Sequence, residues 1–247
     1  MYNSSGVCVS WGRRTFGSLA GAKCSRFHPI LPNGGEVRLG RLHVIVGEYG
    51  GRDPVELAQL AIEGGAQVIQ VRMKGVSDRR LYEAVALIAD LCKKKSRCCI
   101  VNDRFDVALA CGADGVHLGQ DDLPVAAVRR VVGRHFIIGA TARDPHTARQ
   151  LEAKGATYLG VGPCFETTTK DGLPTPLGVE GLASVAKAVK SPVIAIGGIN
   201  ADNAAEVIRA GAYGVAVVSA VAMAPDPRSA TQQILKNIQT VLSGASL

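Results

Sequence analysis

From Arg41 onward the chain alternates between two patterns. Short continuous apolar runs begin near Leu42 (LHVIV), Gln67 (QVIQV), Cys98 (CCIV), Gly115 (GVHL), Phe136 (FIIG), Tyr158 (YLGVG), Val193 (VIAIG) and Val215 (VAVV). Unbroken runs of this length mark strands buried on both faces, as in a parallel sheet. The stretches between them carry helix signals. Asp53-Pro54, Asp144-Pro145 and Asp226-Pro227 read as an N-cap followed by Pro at the first helical position. Ser77 opens a long helical pattern that ends in Lys93-Lys94-Lys95, cations suited to a helix C-terminus. Gly64-Gly65, Gly112, Gly133, Gly155 and Gly211 supply stops. Eight strands and eight helices in strict alternation predict a single (β/α)8 TIM barrel. An open doubly wound sheet is the alternative, but no G-x-G-x-x-G follows the first strand.

Residues 1–40 show no sustained periodicity and are rich in Ser, Gly and Arg, without the apolar core of a secretory signal. They are expected to form a disordered basic extension ahead of a barrel domain spanning 41–247. The charge supports that division. Residues 1–41 hold Arg13, Arg14, Lys23, Arg26, Arg38 and Arg41 against Glu36, or +5 of the net +7, leaving +2 for the rest. The basic footprint thus lies outside the barrel and lacks an aromatic-rich face, which argues against nucleic-acid binding. No apolar run approaches the roughly 18 residues of a membrane span. The seven cysteines have neither metal-ligand spacing nor an even disulfide framework. A soluble protein of the reducing cytoplasm is expected.

In such a barrel, chemistry sits at the C-terminal ends of the strands. The second strand ends Gln70-Val71-Arg72-Met73-Lys74, so alternate residues can share a face. The third ends Asn102-Asp103-Arg104, the fourth His117-Leu118-Gly119-Gln120-Asp121-Asp122, and the fifth Gly139-Ala140-Thr141. The sixth runs into a loop with three adjacent hydroxyls, Lys170 and Gly172. The seventh ends Gly197-Gly198-Ile199-Asn200 and the eighth Val218-Ser219. Each has an ordinary reading: solvated charges for Arg72 and Lys74, a helix cap for Asp122, a tight turn for Gly197-Gly198, a satisfied interior histidine for His117. Their concentration at one rim suggests anion binding. Asp103 and Asp122 offer two carboxylates for Mg²⁺, which takes few protein ligands and completes its shell with phosphate and water. Arg72, Lys74, Asn102 and Lys170 would surround a diphosphate. Gly197-Gly198 and Val218-Ser219, after strands seven and eight, sit where barrels commonly bind a monophosphate. Together these suggest a transferase that expels pyrophosphate.

The motifs Gln70–Lys74, Val101–Arg104, Gly115–Asp122, Gly162-Pro163 with Thr167–Lys170, and Ile196–Ile199 resemble the thiamine-phosphate synthase and thiazole tautomerase family across the whole barrel. The resemblance implies joining of 4-amino-2-methyl-5-pyrimidinylmethyl diphosphate to 4-methyl-5-(2-phosphoethyl)thiazole, or its carboxylated form, with loss of pyrophosphate by a dissociative route. It implies the diphosphate on Arg72, Lys74, Asn102, Thr141 and Lys170, the metal on Asp103 and Asp122, and the pyrimidine oriented by Gln70. The thiazole phosphate would lie on Thr167, Thr169, Gly198, Val218 and Ser219, with Lys170, Arg72 and Lys74 as the catalytic cations. The chain departs from the family pattern at His43, Gly47, Met73 and Thr141, and Glu166 leans towards the tautomerase branch. That branch is the alternative, yet it uses a His after strand five, where this chain reads Thr141-Ala142-Arg143. A phosphate-binding barrel without catalysis is the remaining alternative. Small-molecule substrates are the expected partners, with a homo-oligomer open.

Overall fold

Eight short strands close on themselves in a computed structural model that describes residues 39–167, 169, 172 and 174–244. They are β1 (Leu42–Val46), β2 (Val68–Val71), β3 (Cys98–Asn102), β4 (Gly115–Leu118), β5 (Ile137–Ala142), β6 (Tyr158–Val161), β7 (Val193–Ile196) and β8 (Gly214–Val217). All neighbours are parallel and in sequence order, and β8 pairs back to β1 through Val44↔Val217. Every strand begins within a residue of the apolar run that foretold it.

The helices are α1 (Pro54–Glu63), α2 (Asp78–Lys94), α3 (Phe105–Ala110), α4 (Val125–Val132), α5 (Pro145–Ala153), α6 (Gly178–Ala188), α7 (Ala204–Arg209), α8 (Ser219–Ala222) and α9 (Pro227–Leu242). The expected eight become nine among the described residues, because the chain makes one short turn of helix directly after β8 before the long closing helix. Asp53, Ser77, Asp144 and Asp226 cap α1, α2, α5 and α9 with their side chains, as their sequence positions imply. Asp122 does not cap α4. That helix starts behind Pro124 without a side-chain cap, and the Asp122 carboxylate turns back to accept from the Gly119 amide at 2.6 Å.

Strand alternation divides the core in two. Leu42, Val44 and Val46 face outward and pack with Leu57, Ile88 and Val185 of the surrounding helices. His43 and Ile45 face inward, where Ile45 joins Val68, Cys98, Ile100, Ile137, Tyr158 and Ile194. Leu39, in the stretch assigned to the extension, is already buried in this inner cluster, and the Gly40 carbonyl meets His43 Nε2 at 3.0 Å. The proposed disorder of residues 1–38 lies outside the described residues.

The inner layer mixes apolar and polar groups because the barrel stays open at its upper end. Packing fills it below, and ring-bearing side chains are fitted by glycine opposite them. A Cβ at Gly139 would lie 2.1 Å from Tyr158 Cζ. Removing the α1 cap tests the local rules. Asp53 accepts from the amides of Val55 (2.8 Å) and Glu56 (3.2 Å). Asp53→Ala is expected to cost about 1 kcal/mol in urea unfolding with unchanged activity; a cost near zero would show that Pro54 and packing alone fix this helix start.

Candidate functional site

The C-terminal ends of the strands surround a cavity of about 340 Å³ that descends into the barrel. Every site residue expected from the sequence and lying among the described residues lines it: Gln70, Arg72, Lys74, Asn102, Asp103, Asp122, Thr141, Thr167, Thr169, Gly198, Val218 and Ser219. Lys170 lies outside the described residues.

One side of the mouth is charged. Arg72 follows β2, its amide held by the Val46 carbonyl, and its guanidinium reaches the Tyr49 hydroxyl at 3.4 Å. Lys74 pairs with Asp103. Asp103 has a left-handed backbone (φ 63°), which Asp tolerates better than most residues. Its amide donates to the His117 carbonyl at 2.8 Å, so β4 fixes the direction of the β3 loop. Asp122 comes from the next loop. Partial burial, followed by a hydrogen-bonding contact with Asp103, raises its pKa above the usual carboxylate range. Two carboxylates this close repel one another when both are ionised, and a cation between them removes the penalty. Asp121 also lines the cavity, but only Asp103 and Asp122 are in contact, and a donor set of two carboxylates suits Mg²⁺ completed by ligand oxygens and water rather than a closed protein cage. Among the described residues no group of three or more acidic, His or Cys side chains forms such a cage.

Among the described residues the other side is rich in hydroxyls and exposed backbone. Thr167 Oγ1 receives the Thr169 amide (3.3 Å) and lies 3.2 Å from Thr169 Oγ1, which in turn lies 3.3 Å from Ser219 Oγ. The loops after β6 and β8 are thereby joined. Gly197 and Gly198 have φ of 92° and 68°, and a Cβ on Gly198 would come 2.5 Å from the Glu166 carbonyl oxygen. The double-glycine turn lets the β7 backbone approach the β6 loop closely. Asn203 Nδ2 holds the turn by donating to the Gly198 carbonyl at 2.9 Å.

Arg143 fixes the same loop from β5. Its guanidinium donates to the Gly162 carbonyl (3.0 Å) at the start of the loop and to the Thr175 carbonyl (2.7 Å) near its end. Both contacts span chain separations that local patterns do not encode. Sequence reading also missed Tyr49, although an aromatic residue three positions beyond a strand end was a usable signal.

Deeper in the cavity, His117 Nδ1 lies 3.0 Å from Tyr158 Oη and Nε2 lies 3.1 Å from Thr141 Oγ1. The interior-histidine reading is therefore met, with both nitrogens partnered. Burial lowers the His117 pKa to about 4, so it is a neutral and weak base near neutrality. His43 is fully buried, and burial lowers it further, to about 3, against a smaller opposing effect of the Gly40 carbonyl. Cys164 is buried, its thiol is raised to about 11 by burial, and it does not line the cavity.

This arrangement has known counterparts. A profile of the thiamine monophosphate synthase family matches residues 42–221. The chain belongs to this family. A thiamine-phosphate synthase from Salinispora arenicola is 49% identical over 196 residues, covering 78% of this chain and 94% of the relative. Its counterpart from Salinispora tropica is 47% identical over 201 residues, covering 80% and 97%. Among solved structures, the thiamine phosphate pyrophosphorylase from Pyrococcus furiosus superposes with a TM-score of 0.76 at 41% identity, covering 82% of this chain and 96% of that one. A 3-hexulose-6-phosphate synthase superposes at 0.59 with 18% identity and shares the barrel alone.

The two buried imidazoles of this family member give it a pH signature. Both take a proton near pH 6.5 when unfolded but only near 3 and 4 when folded. Unfolding therefore takes up protons below about pH 6.5, and stability present above that pH is lost as pH falls towards 4. Each histidine should contribute a slope of about 1.4 kcal/mol per pH unit between pH 6 and 4.5, read from urea midpoints. His43→Leu should remove about half of it. A flat profile would contradict the neutral assignment.

Proposed function

We propose that this protein is a transferase that condenses 4-amino-2-methyl-5-pyrimidinylmethyl diphosphate with 4-methyl-5-(2-phosphoethyl)thiazole, or its carboxylated form, to give thiamine monophosphate and pyrophosphate. The observation that carries this reading is the division of one cavity. Cations and a carboxylate pair occupy one side, while hydroxyls and a double-glycine turn occupy the other. The first suits a diphosphate bridged by a metal, the second a monophosphate. A substrate carrying each would bring its reacting carbon and nitrogen together between them. The names of the relatives at 47–49% identity agree with this reading.

The reaction breaks the bond between the pyrimidine methylene carbon and a diphosphate oxygen, and the thiazole nitrogen closes a new bond to that carbon. Negative charge grows on the departing oxygens. Asp103 and Asp122 would hold Mg²⁺, which when bound neutralises part of that charge. Arg72 and Lys74 supply fixed positive charge at the same end, and Asn102 and Thr141 can donate hydrogen bonds. Such preorganised donors act without reorganising during the reaction, and each contributes about 3–4 kcal/mol where measured. Lys74 must release Asp103 to reach a diphosphate, an exchange that a metal on the carboxylates favours. Lys170 completes the cationic set in this reading. Gln70, 4% exposed, faces the cavity from β2 and can orient the pyrimidine. Thr167, Thr169, Ser219 and the backbone at Gly198 and Val218 would receive the thiazole phosphate. A cytoplasmic, Mg²⁺-dependent enzyme is the corresponding proposal.

The tautomerase alternative has no support in the site. The region after β5 where that branch carries its histidine reads Thr141-Ala142-Arg143, and the Arg143 guanidinium is engaged by two loop carbonyls. The carboxylate pair also belongs with a diphosphate rather than with isomerisation.

Pyrophosphate release by the purified protein should require both substrates and Mg²⁺ together, with thiamine monophosphate as co-product. Release from the diphosphate alone at the full rate, or none under any condition, would overturn the reading. Asp103→Ala or Asp122→Ala should lower kcat by about 10²-fold or more with the fold intact. Ser219→Ala should instead raise KM for the thiazole phosphate about 10- to 100-fold with kcat little changed, the cost of one hydrogen bond to a charged group. An unchanged KM would remove Ser219 from the phosphate site.

A further inference from the structure

Below the substrate-facing rim, the barrel interior carries a line of polar side chains that anion binding alone does not explain. Tyr158 Oη, His117 and Thr141 Oγ1 are joined end to end at 3.0 and 3.1 Å. Tyr158 stands at the lower end of β6 and is buried at the foot of the cavity, whereas Thr141, at the upper end of β5, is half-buried nearer its mouth. The line therefore runs from the closed interior to the open site.

Space has been kept for it. A Cβ at Gly139 would approach Tyr158 Oη to 2.4 Å and His117 Nδ1 to 2.5 Å, and one at Gly160 would approach His117 Cε1 to 2.9 Å. Any side chain at either inward position would push the rings out of contact. Gly139 and Gly160 have ordinary backbone angles, so room for the rings, not conformational freedom, accounts for glycine there.

The hydrogens can run in only one of two directions. A neutral imidazole has one N–H and one lone pair, and each hydroxyl has one hydrogen to give. If Tyr158 donates to Nδ1, then Nε2–H donates to Thr141 Oγ1, and the Thr141 hydrogen is left for the cavity. In the reverse direction Thr141 donates inward and Nδ1–H donates to Tyr158. The Tyr158 hydrogen then needs a buried acceptor, and among the described residues its hydroxyl makes no other hydrogen bond able to take it. A buried hydroxyl without an acceptor costs about 1–3 kcal/mol, which favours the outward direction.

We propose that Tyr158 and His117 are positioning residues that hold the imidazole as its Nε2–H tautomer, so that Thr141 always presents its hydroxyl hydrogen to the ligand. The ligand group served is an anionic oxygen of the diphosphate, and this last part rests on the synthase reading. Preorganisation is the gain. Without the relay the Thr141 hydroxyl can turn and give its hydrogen to Nε2, presenting a lone pair to an anion. The β-branched methyl group of Thr141 further limits its rotation.

The test has two arms. In protein labelled with ¹⁵N-histidine, ring ¹⁵N–¹H correlations at pH 7 report which nitrogen of His117 is protonated, with the signal assigned by its loss in His117→Asn. A protonated Nε2 and bare Nδ1 are expected; a protonated Nδ1 overturns the proposal. This arm needs no activity, so it separates failure of the relay from failure of the synthase reading. In the kinetic arm, Tyr158→Phe should lower kcat about 10-fold, with KM for both substrates within about twofold. Thr141→Val should lower kcat at least as much, and the double variant no more than Thr141→Val alone, because the relay acts only through that hydroxyl. Multiplying losses in the double variant would overturn the proposal. Should Tyr158→Phe fail to fold, the tautomer in the unaltered protein still decides the direction.

Discussion

Closure of the sheet is the constraint on which the rest of this molecule depends. β8 returns to β1 in parallel, with Leu42, His43 and Val44 opposite Val215, Ala216 and Val217. Once eight parallel strands close in order, all their C-terminal ends must open on the same side. Residues as far apart in sequence as Arg72 and Ser219 then line one cavity. The outward faces of the strands meet the helices in a continuous aliphatic layer, which leaves the inward faces free to become polar towards the rim. Fold stability and site chemistry are in this way assigned to opposite faces of the same strands.

Within that frame the site is built by contacts between loops. Asp103 leans on β4 through the His117 carbonyl, Thr169 meets Ser219, and Arg143 ties both ends of the β6 loop. None of these is a surface ion pair of the kind whose net contribution averages near zero. They fix geometry rather than add stability. The Lys74–Asp103 pair differs, since its exposed lysine is free to exchange partners when a more highly charged anion arrives. Under the proposed function the charged side of the cavity is a resting arrangement that a metal-bound diphosphate would rearrange, whereas the hydroxyls of Thr167, Thr169 and Ser219 already lie together.

The sequence made the barrel legible because strand and helix signals are local. LHVIV and YLGVG are continuous apolar runs wherever they occur, and Asp53-Pro54 reads as a helix start without any tertiary context. The rim residues were also legible, since the barrel rule converts position after a strand into position in space. What escaped notice were features set by distance in three dimensions. Tyr158 lies at the lower end of its strand, so scanning strand ends passed over it, yet its length carries the hydroxyl up to His117. Arg143 looked like an ordinary charged residue before a helix cap, because the two carbonyls it binds are 19 and 32 residues away. Asp122 carried the opposite ambiguity. Its place before Leu123-Pro124 fitted a cap, and only the structure shows that it turns to the Gly119 amide and lines the cavity instead of capping α4. Leu39 belongs to the inner core, although the hydrophobic pattern becomes regular only after it.

The central claim is that one cavity holds two chemically different anion sites, with the bond-forming atoms between them. A crystal structure of the protein with thiamine monophosphate, pyrophosphate and Mg²⁺ tests it most directly. The account predicts pyrophosphate beside Arg72 and Lys74 with the cation on Asp103 and Asp122. It places the phosphate of thiamine monophosphate against Thr167, Thr169, Ser219 and the Gly198 turn. Exchange of the two anions between these sides, or both bound outside the cavity, would contradict it.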